Sequence, residues 1–355
     1  MSVVSDMSEK AGVRSAAPER CDRLRARLAA LGADAALVTD PTAVRYLSGA
    51  PAAPGAALLL TGDDSAATVL DSLPRAAGQL PDGAAVVAVE EHVLTVERHR
   101  ALAAALPGRR LVDLDRAVEQ LRLVKDDGEL AALRTAAEIA DSALGELLES
   151  IIVGRTERHL ALELERRMID HGAEATAFPV SVGTGPNSGL PRHRPGERRV
   201  AEGDFLTVAL GAVHAGYRSS TARTFAVGAV PAPWQIELHG RVFAAQRAVR
   251  EALRPGAAVT EVAAAAGAFP EGPEGYERDG AETLGGGIGL QMGEEPRIDP
   301  ASMGKLDARV PVTVGLGARL PGRGGVRLED TLVVRPEADG GPELLTITTK
   351  ELLAL

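Results

Sequence analysis

The sequence predicts a two-domain α/β protein. At 355 residues the chain is longer than one hydrophobic core usually supports. Over the first third of the chain, short apolar runs bounded by Gly, Pro and Asp alternate with amphipathic helical patterns, which is typical of an α/β domain. We expect a disordered polar segment over 1–17, an N-terminal domain over 18–120 and a C-terminal domain over 121–355.

The N-terminal domain is expected to begin with a helix over 20–31. Leu24 and Leu28 recur there at helical spacing, and Gly32 ends the pattern. A second helix is expected over 93–106. Five short apolar runs are predicted to be strands, at 35–38, 56–60, 68–70, 84–89 and 111–114.

The C-terminal domain is expected to contain long helices and paired strands. Thr156 is a suitable N-cap for one helix, and Pro233 is a suitable first residue for another. Helices are predicted over 127–151, after Thr156, from Pro233 and over 257–268, and strands over 205–210 and 224–227. The segment 269–287 combines prolines, glycines and acidic residues, and we expect a remodelled, mobile loop there.

Composition and charge exclude several classes of function. The formal net charge is −10 at pH 7, whereas proteins that bind nucleic acid or an anionic membrane need a basic face. The single cysteine, Cys21, rules out an intrachain disulfide. The start of the chain lacks the apolar core of a secretory signal, and no apolar run approaches the roughly 18 residues that cross a bilayer. We expect a cytoplasmic protein with no nucleic-acid or membrane partner.

Four motifs in the second half of the chain carry the strongest functional signal. They read V-A-L-G-A-V-H-A-G-Y-R-S-S-T-A-R-T over 208–224, L-G-G-G-I-G-L over 284–290, V-T-V-G-L-G over 312–317 and V-R-L-E-D over 326–330. These segments resemble the metal-binding segments of the aminopeptidase P, prolidase and creatinase family. In that family they usually read D-x-G with G-Y-x-S-D-x-T-R-T, then G-H-G-I-G, E-P-G and R-I-E-D.

The resemblance extends over most of the chain. Residues 121–136 are similar to the helix that opens the catalytic domain, and T-G-P-N-S-G-L-P-R-H-R-P over 184–195 is similar to the substrate loop. Residues 31–49 are similar to the first helix and strand of the N-terminal domain. The resemblance implies a creatinase-like N-terminal α/β domain followed by a C-terminal domain with the pita-bread fold. It also implies a homodimer.

The resemblance assigns positions to the five metal ligands of the family, and four of those positions carry other residues here. The two aspartates correspond to Ala209 and Ser220, the histidine to Gly286, and the two glutamates to Gly315 and Glu329. Two divalent cations roughly 3.5–4 Å apart need bridging carboxylates. Alanine and glycine side chains have no donor atoms, and a serine hydroxyl is a weak ligand. We therefore expect no metal and no other cofactor.

Two further histidines of the family are also replaced. Arg192 stands at the histidine of the substrate loop, although His193 follows it directly. Gly293 stands at the histidine before the E-x-P motif. The groups that would polarise a scissile carbonyl or donate a proton are therefore absent, and the resemblance implies that metallopeptidase activity is lost.

Glu329 is the strongest candidate among the remaining polar residues. A carboxylate in a pocket built for cations needs another counter-charge or a proton. Arg223 and Arg327 are candidate partners, because the family places both near that pocket. The alternative is a structural salt bridge that fills the space of the metals.

Other polar residues near the motifs are candidates for ligand binding or proton transfer. Arg192 lies in a basic loop suited to an anion, and His193 is suited to acid–base chemistry. Glu294 and the adjacent Glu295 are candidates for proton transfer, and the Tyr217 hydroxyl for a ligand contact. The alternative in each case is an ordinary solvated loop residue, a solvated charge or a packed tyrosine.

Two hypotheses of different class follow. The first is a metal-free relative without peptidase activity, which binds a small or peptide-like, carboxylate-bearing ligand or acts as a dimeric interaction module. The second is a metal-independent enzyme, since creatinase cleaves a C–N bond on this fold without metal; a metallopeptidase with unusual ligands is a third. The ligand-binding candidates are Arg192, Tyr217, Arg223 and Arg327, and the catalytic candidates are His193, Glu294 and Glu329.

Overall fold

The computed structural model describes residues 13, 16–63, 66–150, 152–228, 230–267, 275–278 and 284–355. Within these residues the chain divides into two compact units, and the division falls between Glu129 and Leu130, a little beyond the predicted boundary. Most of the segment predicted to be disordered (1–17) and most of the predicted loop (269–287) lie outside the described residues.

The first unit is an α/β domain built on a five-stranded sheet. Its elements are α1 (Ala17–Leu31), β1 (Ala35–Val38), α2 (Pro41–Ser48), β2 (Ala57–Thr61), β3 (Thr68–Leu70), α3 (Leu73–Ala77), β4 (Val86–Val89), α4 (Val96–Ala105), β5 (Arg110–Asp113) and α5 (Ala117–Leu121). The strand order is β3-β2-β1-β4-β5, in which β4 is parallel to both of its neighbours. All five predicted strands are present, and Leu24 and Leu28 of the first helix are fully buried as expected.

A buried charged cluster lies at the start of helix α6 (Asp127–Leu148). Asp126 Oδ1 accepts a hydrogen bond from the Glu129 amide at 2.9 Å, and Glu129 Oε2 accepts one from the Asp126 amide at 3.0 Å, which is a reciprocal capping box. The fully buried Arg20 donates to Asp126 Oδ2 at 2.6 Å and lies 3.8 Å from Glu129 Oε2. Burial raises the pKa of Glu129 to about 7, although Arg20 acts in the opposite direction.

This pKa predicts how stability changes with pH. The folded state keeps the Glu129 proton at pH values where the unfolded chain releases it, so the unfolding free energy falls as pH rises from about 4.5 to about 7. The total loss is about 3 kcal/mol. We expect Glu129→Gln to match the wild type near pH 4.5 and to exceed its stability near pH 8, as measured by guanidinium unfolding. Parallel pH profiles of the two proteins would contradict this.

The second unit combines a large antiparallel sheet with helices. Its further elements are α7 (Glu157–Asp170), β6 (Ala175–Thr176), β7 (Ser181–Thr184), β8 (Phe205–Leu210), β9 (Ala212–His214), β10 (Tyr217–Arg218), β11 (Thr221–Ala226), α8 (Pro233–Ala252), α9 (Val259–Ala264), β12 (Glu277–Arg278), β13 (Gly285–Ile288), β14 (Met292–Ile298), β15 (Pro311–Leu320), β16 (Gly324–Val333) and β17 (Glu343–Leu344). The main strand order is β14-β13-β15-β16-β11-β8-β7. Thr156 caps α7 and Pro233 begins α8, as predicted.

The three long helices of this unit cover one face of the sheet. Leu238, Val242 and Val249 of α8 pack in a single cluster with residues of β15 and β16, among them Val314 and Leu328. The helices α6 and α7 form a second cluster with β7, β8 and β11. Because side chains alternate along a strand, residues between these apolar positions point to the opposite face. That opposite face carries the candidate site.

Candidate functional site

The positions of the four motifs converge on one face of the large sheet. Strand pairing joins Ala209 to Ala222, Ala222 to Glu329, and Glu329 to Gly315. Paired residues in an antiparallel sheet share a face, as do residues two apart on one strand. Ser220 lies two residues before Ala222, so this group of side chains lies on the face away from the helices.

Gly286 joins the same group through the next strand. It pairs with Thr313, which lies two residues before Gly315 on β15. The five positions that the motifs single out are therefore adjacent across the sheet, although they come from parts of the chain more than one hundred residues apart. The family resemblance implied this clustering, and the strand register produces it.

Glu329 is held by two neighbours on this face. Its side chain is 13% exposed, and Oε2 accepts a hydrogen bond from Nη2 of Arg327 at 2.6 Å. Oε1 accepts a hydrogen bond from the Ser220 hydroxyl. A Cβ atom added at Gly315 would lie 2.5 Å from Glu329 Oε2, so the carboxylate occupies the space beside the glycine. Of the two partners considered from sequence, Arg327 pairs with the carboxylate, whereas the contact of Arg223 with Glu329 is to its backbone oxygen and not to its carboxylate.

A cavity of about 550 Å³ opens beside this group. Thr207, Ala209 and Arg327 of the sheet form one wall, and the loop over 187–193 forms the other. The volume lies within the range of roughly 300–1,000 Å³ that is usual for small-ligand sites.

The loop wall is organised by Glu157, the first residue of α7. Its carboxylate is fully buried, and Oε2 accepts a hydrogen bond from Nε2 of His193 at 2.8 Å and from the Gly196 amide at 3.0 Å. Oε1 accepts hydrogen bonds from the Thr184 amide and from Asn187 Nδ2, both at 2.9 Å. One carboxylate therefore fixes both ends of the loop.

The same bonds determine the charge of Glu157. Burial acts to raise its pKa, but the hydrogen bonds from Thr184, His193 and Asn187 outweigh burial and hold the pKa below its ordinary value. The carboxylate is therefore ionised, and the His193 Nε2–H donates to it. Nδ1 is then the ring nitrogen of His193 that this hydrogen bond does not involve.

We expect Glu157→Gln to loosen this loop and destabilise the protein by about 2–3 kcal/mol, because an amide NH₂ would face the Gly196 N–H. Amide hydrogen exchange over 184–196 should become faster, which measures the loosening of the loop. Denaturant unfolding measures the loss of unfolding free energy. Glu165→Gln on the same helix is the matched control, since its side chain has no recorded partner among the described residues. The pKa of Glu157 is lowered by its hydrogen bonds, so the difference between wild type and Glu157→Gln should persist above the ordinary value of 4.5 and shrink as the pH falls through the lowered pKa. Unchanged exchange over the loop would contradict this role.

Arg192, His193 and Arg327 line the cavity. The other four candidate residues are not among its lining residues, although one of them, Glu329, is paired with Arg327. Tyr217 is fully buried on β10. Arg223 is 1% exposed, and its guanidinium is engaged by Asp330 at 2.8 Å and by backbone oxygens. Glu294 is half-buried on β14, where its Oε1 accepts from the Gln291 amide. Burial and these partners leave Tyr217, Arg223 and Glu294 outside the cavity wall.

Sequence reasoning missed Glu157. It follows the N-cap Thr156, and an acidic residue in the first turn of a helix is common for reasons of the helix dipole alone. Its partners Thr184, Asn187 and Gly196 lie well beyond it along the chain, and no local pattern connects them. The one available signal was the asparagine of the substrate loop, a side chain that needs a buried acceptor.

The described part of the chain contains neither a cluster of metal ligands nor a membrane-spanning helix. No group of three or more His, Cys, Asp or Glu side chains is placed there to hold a metal ion. No helix of the described residues is long and apolar enough to cross a membrane.

Comparisons with known proteins agree with this fold. Residues 131–336 match the model of metallopeptidase family M24, and residues 20–77 and 65–124 match the creatinase/prolidase N-terminal domain. An Xaa-Pro dipeptidase of Pyrococcus furiosus is 34% identical over 240 residues, which is 68% of each chain. An uncharacterized peptidase of Bacillus subtilis, YqhT, is 30% identical over 95% of this chain and 100% of its own.

Solved structures give the same result. An Xaa-Pro dipeptidase from Bacillus anthracis superposes with a TM-score of 0.85 at 29% identity, over 96% of this chain and 100% of that one. The prolidase from Pyrococcus horikoshii gives 0.83 at 27% identity, over 94% and 100%. The expected creatinase-type N-terminal domain and pita-bread domain are confirmed. The chain belongs to metallopeptidase family M24.

Proposed function

We propose that this chain is a metal-free member of the family, without metallopeptidase activity. Its cavity binds a small or peptide-like ligand that carries a carboxylate. The observation that carries the proposal is the pairing of Glu329 with Arg327, which supplies a protein cation to the one carboxylate at the five motif positions. We also propose that the chain forms a homodimer, which sedimentation analysis of the purified protein tests.

The residues at the five positions do not fit a pair of divalent cations. The side chains of Ala209, Gly286 and Gly315 have no atom that can coordinate a metal ion. The Ser220 hydroxyl donates a hydrogen bond to the Glu329 carboxylate. One carboxylate cannot both neutralise two cations and bridge them. The Arg327 guanidinium already balances that carboxylate, so binding a cation would require breaking this ion pair.

The cavity wall favours an anionic ligand. Arg192, His193 and Arg327 contribute its ionisable groups, and no acidic residue is among the described residues that line it. The Arg192 side chain is exposed and has no recorded partner in the described chain. A guanidinium binds a carboxylate through two parallel hydrogen bonds, so Arg192 is the group best placed to hold one.

A dipeptide with C-terminal proline is the first probe, because relatives carry the name Xaa-Pro dipeptidase. We expect titration calorimetry to detect binding of Gly-Pro without hydrolysis. The C-terminal amide of Gly-Pro and the Arg192→Gln variant should each bind about tenfold more weakly, since each removes one half of the ion pair. Hydrolysis that depends on added manganese would contradict the proposal. Equal affinity for Gly-Pro and its C-terminal amide would also contradict it.

The second candidate function, a metal-independent enzyme, is favoured by the His193–Glu157 pair. His193 lines the cavity and is hydrogen-bonded to the buried Glu157, and Nδ1 of His193 would accept a proton from a bound ligand or water. Glu294 is outside the cavity, so His193 with Glu157 replaces it in this scheme.

The enzyme hypothesis has its own test. Gly-Pro and guanidino carboxylates are incubated with the protein in the presence of a chelator, and products are followed by mass spectrometry. Turnover that persists with chelator and is lost in His193→Gln, while binding remains, would establish the enzyme. If the protein turns over neither Gly-Pro nor the guanidino carboxylates, the ligand-binding role proposed first remains.

A further inference from the structure

A second cavity lies on the opposite side of strand β16 from the first. Its volume is about 630 Å³, and Gln246, Arg250, Gly341 and Lys350 are in its wall. Gln246 and Arg250 belong to α8, which packs on the helix-covered face of the sheet. Nothing in the proposed function uses this cavity, and the two sites are separated by the sheet itself.

Two residues of the cavity wall, Gln246 and Lys350, belong to a buried ion network centred on Asp330. The Asp330 carboxylate is fully buried and accepts from Arg223 Nη2 at 2.8 Å, from Gln246 Nε2 at 2.6 Å and from Lys350 Nζ at 2.5 Å. One carboxylate therefore faces two cations. Arg223 alone balances its charge, so Lys350 brings one excess positive charge to the cavity.

Arg250 adds a second cation to the same wall. Its side chain is half-buried, and within the described chain its guanidinium has no recorded hydrogen bond or ion pair. The other arginine of the wall, Arg247, is paired with Glu251 at 2.8 Å. The remaining carboxylate of the wall belongs to Glu337, which is exposed.

The two cations act on each other. Burial lowers the pKa of Lys350, and the charge of Arg250 is one of the causes that lower it further, while Asp330 acts to raise it. A half-buried guanidinium without a partner is costly beside another cation. An oxyanion between them would offset that cost, because both groups donate hydrogen bonds and neither accepts.

We propose that this cavity is an anion site, in which Arg250 and Lys350 together bind a phosphate or carboxylate group of a small molecule. The cavity is larger than one oxyanion, so the natural ligand carries a further polar or apolar part. The site does not depend on the function of the first cavity.

Titration calorimetry of the full chain with inorganic phosphate and with citrate tests the proposal. We expect saturable binding of at least one of them, weakened about tenfold or more in Arg250→Ala. Arg250 has no recorded partner to lose, so this variant should keep the wild-type melting temperature. The matched control is Arg241→Ala, which removes the same charge from the same helix outside the cavity, where Arg241 pairs with Glu237.

Each outcome decides the proposal. Binding that is weakened in Arg250→Ala but retained in Arg241→Ala and Arg192→Gln supports it, and the preferred probe then identifies the anion. Binding unaffected by Arg250→Ala, or abolished by Arg192→Gln, would overturn it, since the anion would then lie elsewhere. Absence of saturable binding of both probes at low ionic strength would also overturn it.

Discussion

Restoring carboxylates and an imidazole to the candidate site is expected to create the metal binding that we propose the natural chain lacks. The change combines Ala209→Asp, Ser220→Asp, Gly286→His and Gly315→Glu. These positions are adjacent on one sheet face with Glu329, so five donors would converge. We expect the dissociation constant for Mn²⁺ to fall from the millimolar range or weaker to the micromolar range, about a thousandfold change.

The sterics of this restoration are local. A Cβ at Gly315 would contact the end of the Glu329 side chain, which can rotate, and a Cβ at Gly286 would lie 3.2 Å from the Pro296 carbonyl oxygen. The control combines Ala209→Asn, Ser220→Asn, Gly286→Gln and Gly315→Gln. These side chains add similar bulk without the charges or the imidazole. Titration with Mn²⁺ measures both variants. Equal affinity of the two would contradict the account, because bulk alone cannot create a cation site.

Removing the charge of Asp330 is expected to be the most destabilising single change considered. Asp330→Asn leaves Arg223 and Lys350 without their shared counter-charge, and Arg223 is 1% exposed. Breaking a buried ion pair on one side costs about 3–5 kcal/mol, because the remaining charge stays out of water. Denaturant unfolding measures the loss.

The matched control for Asp330→Asn is Asp339→Asn, an exposed aspartate in a surface turn. It should change the unfolding free energy by no more than about 0.5 kcal/mol. The two cations hold the pKa of Asp330 below its ordinary value despite burial, so the contribution of Asp330 should persist until the pH falls below about 4. A loss of less than about 1 kcal/mol for Asp330→Asn would show that Arg223 and Lys350 find other partners.

The sequence predicted the elements whose signal is local. The first helix and the five strands of the first unit follow from apolar spacing. The starts of two later helices follow from single residues that favour a helix start, the N-cap Thr156 and the first helical residue Pro233. The polar strand β14 was not predicted, because most of its residues are exposed or half-buried and show no apolar alternation. Strand pairing holds it in place, and pairing is not a local property.

The candidate site shows the same limit of sequence-based prediction. The resemblance to the family implied that Ala209, Ser220, Gly286, Gly315 and Glu329 lie together, and the register of the strands that carry the motifs places them side by side. The partner of each individual charged side chain could not be predicted in this way. Arg223 was expected to reach a ligand, yet its partner Asp330 is adjacent to Glu329 in sequence and points to the other face. Neighbouring side chains on a strand point to opposite faces, so Glu329 lies at the candidate site whereas Asp330 lies in the buried ion network.

The metal content of the purified protein tests the central proposal most directly. The protein is dialysed against excess manganese or cobalt, then against metal-free buffer, and bound metal is measured by mass spectrometry, with the restored variant as positive control. We predict that the natural chain retains no metal above the buffer level while the restored variant does. About one or two equivalents retained per natural chain would contradict the proposal, and would mean that other side chains supply the missing ligands.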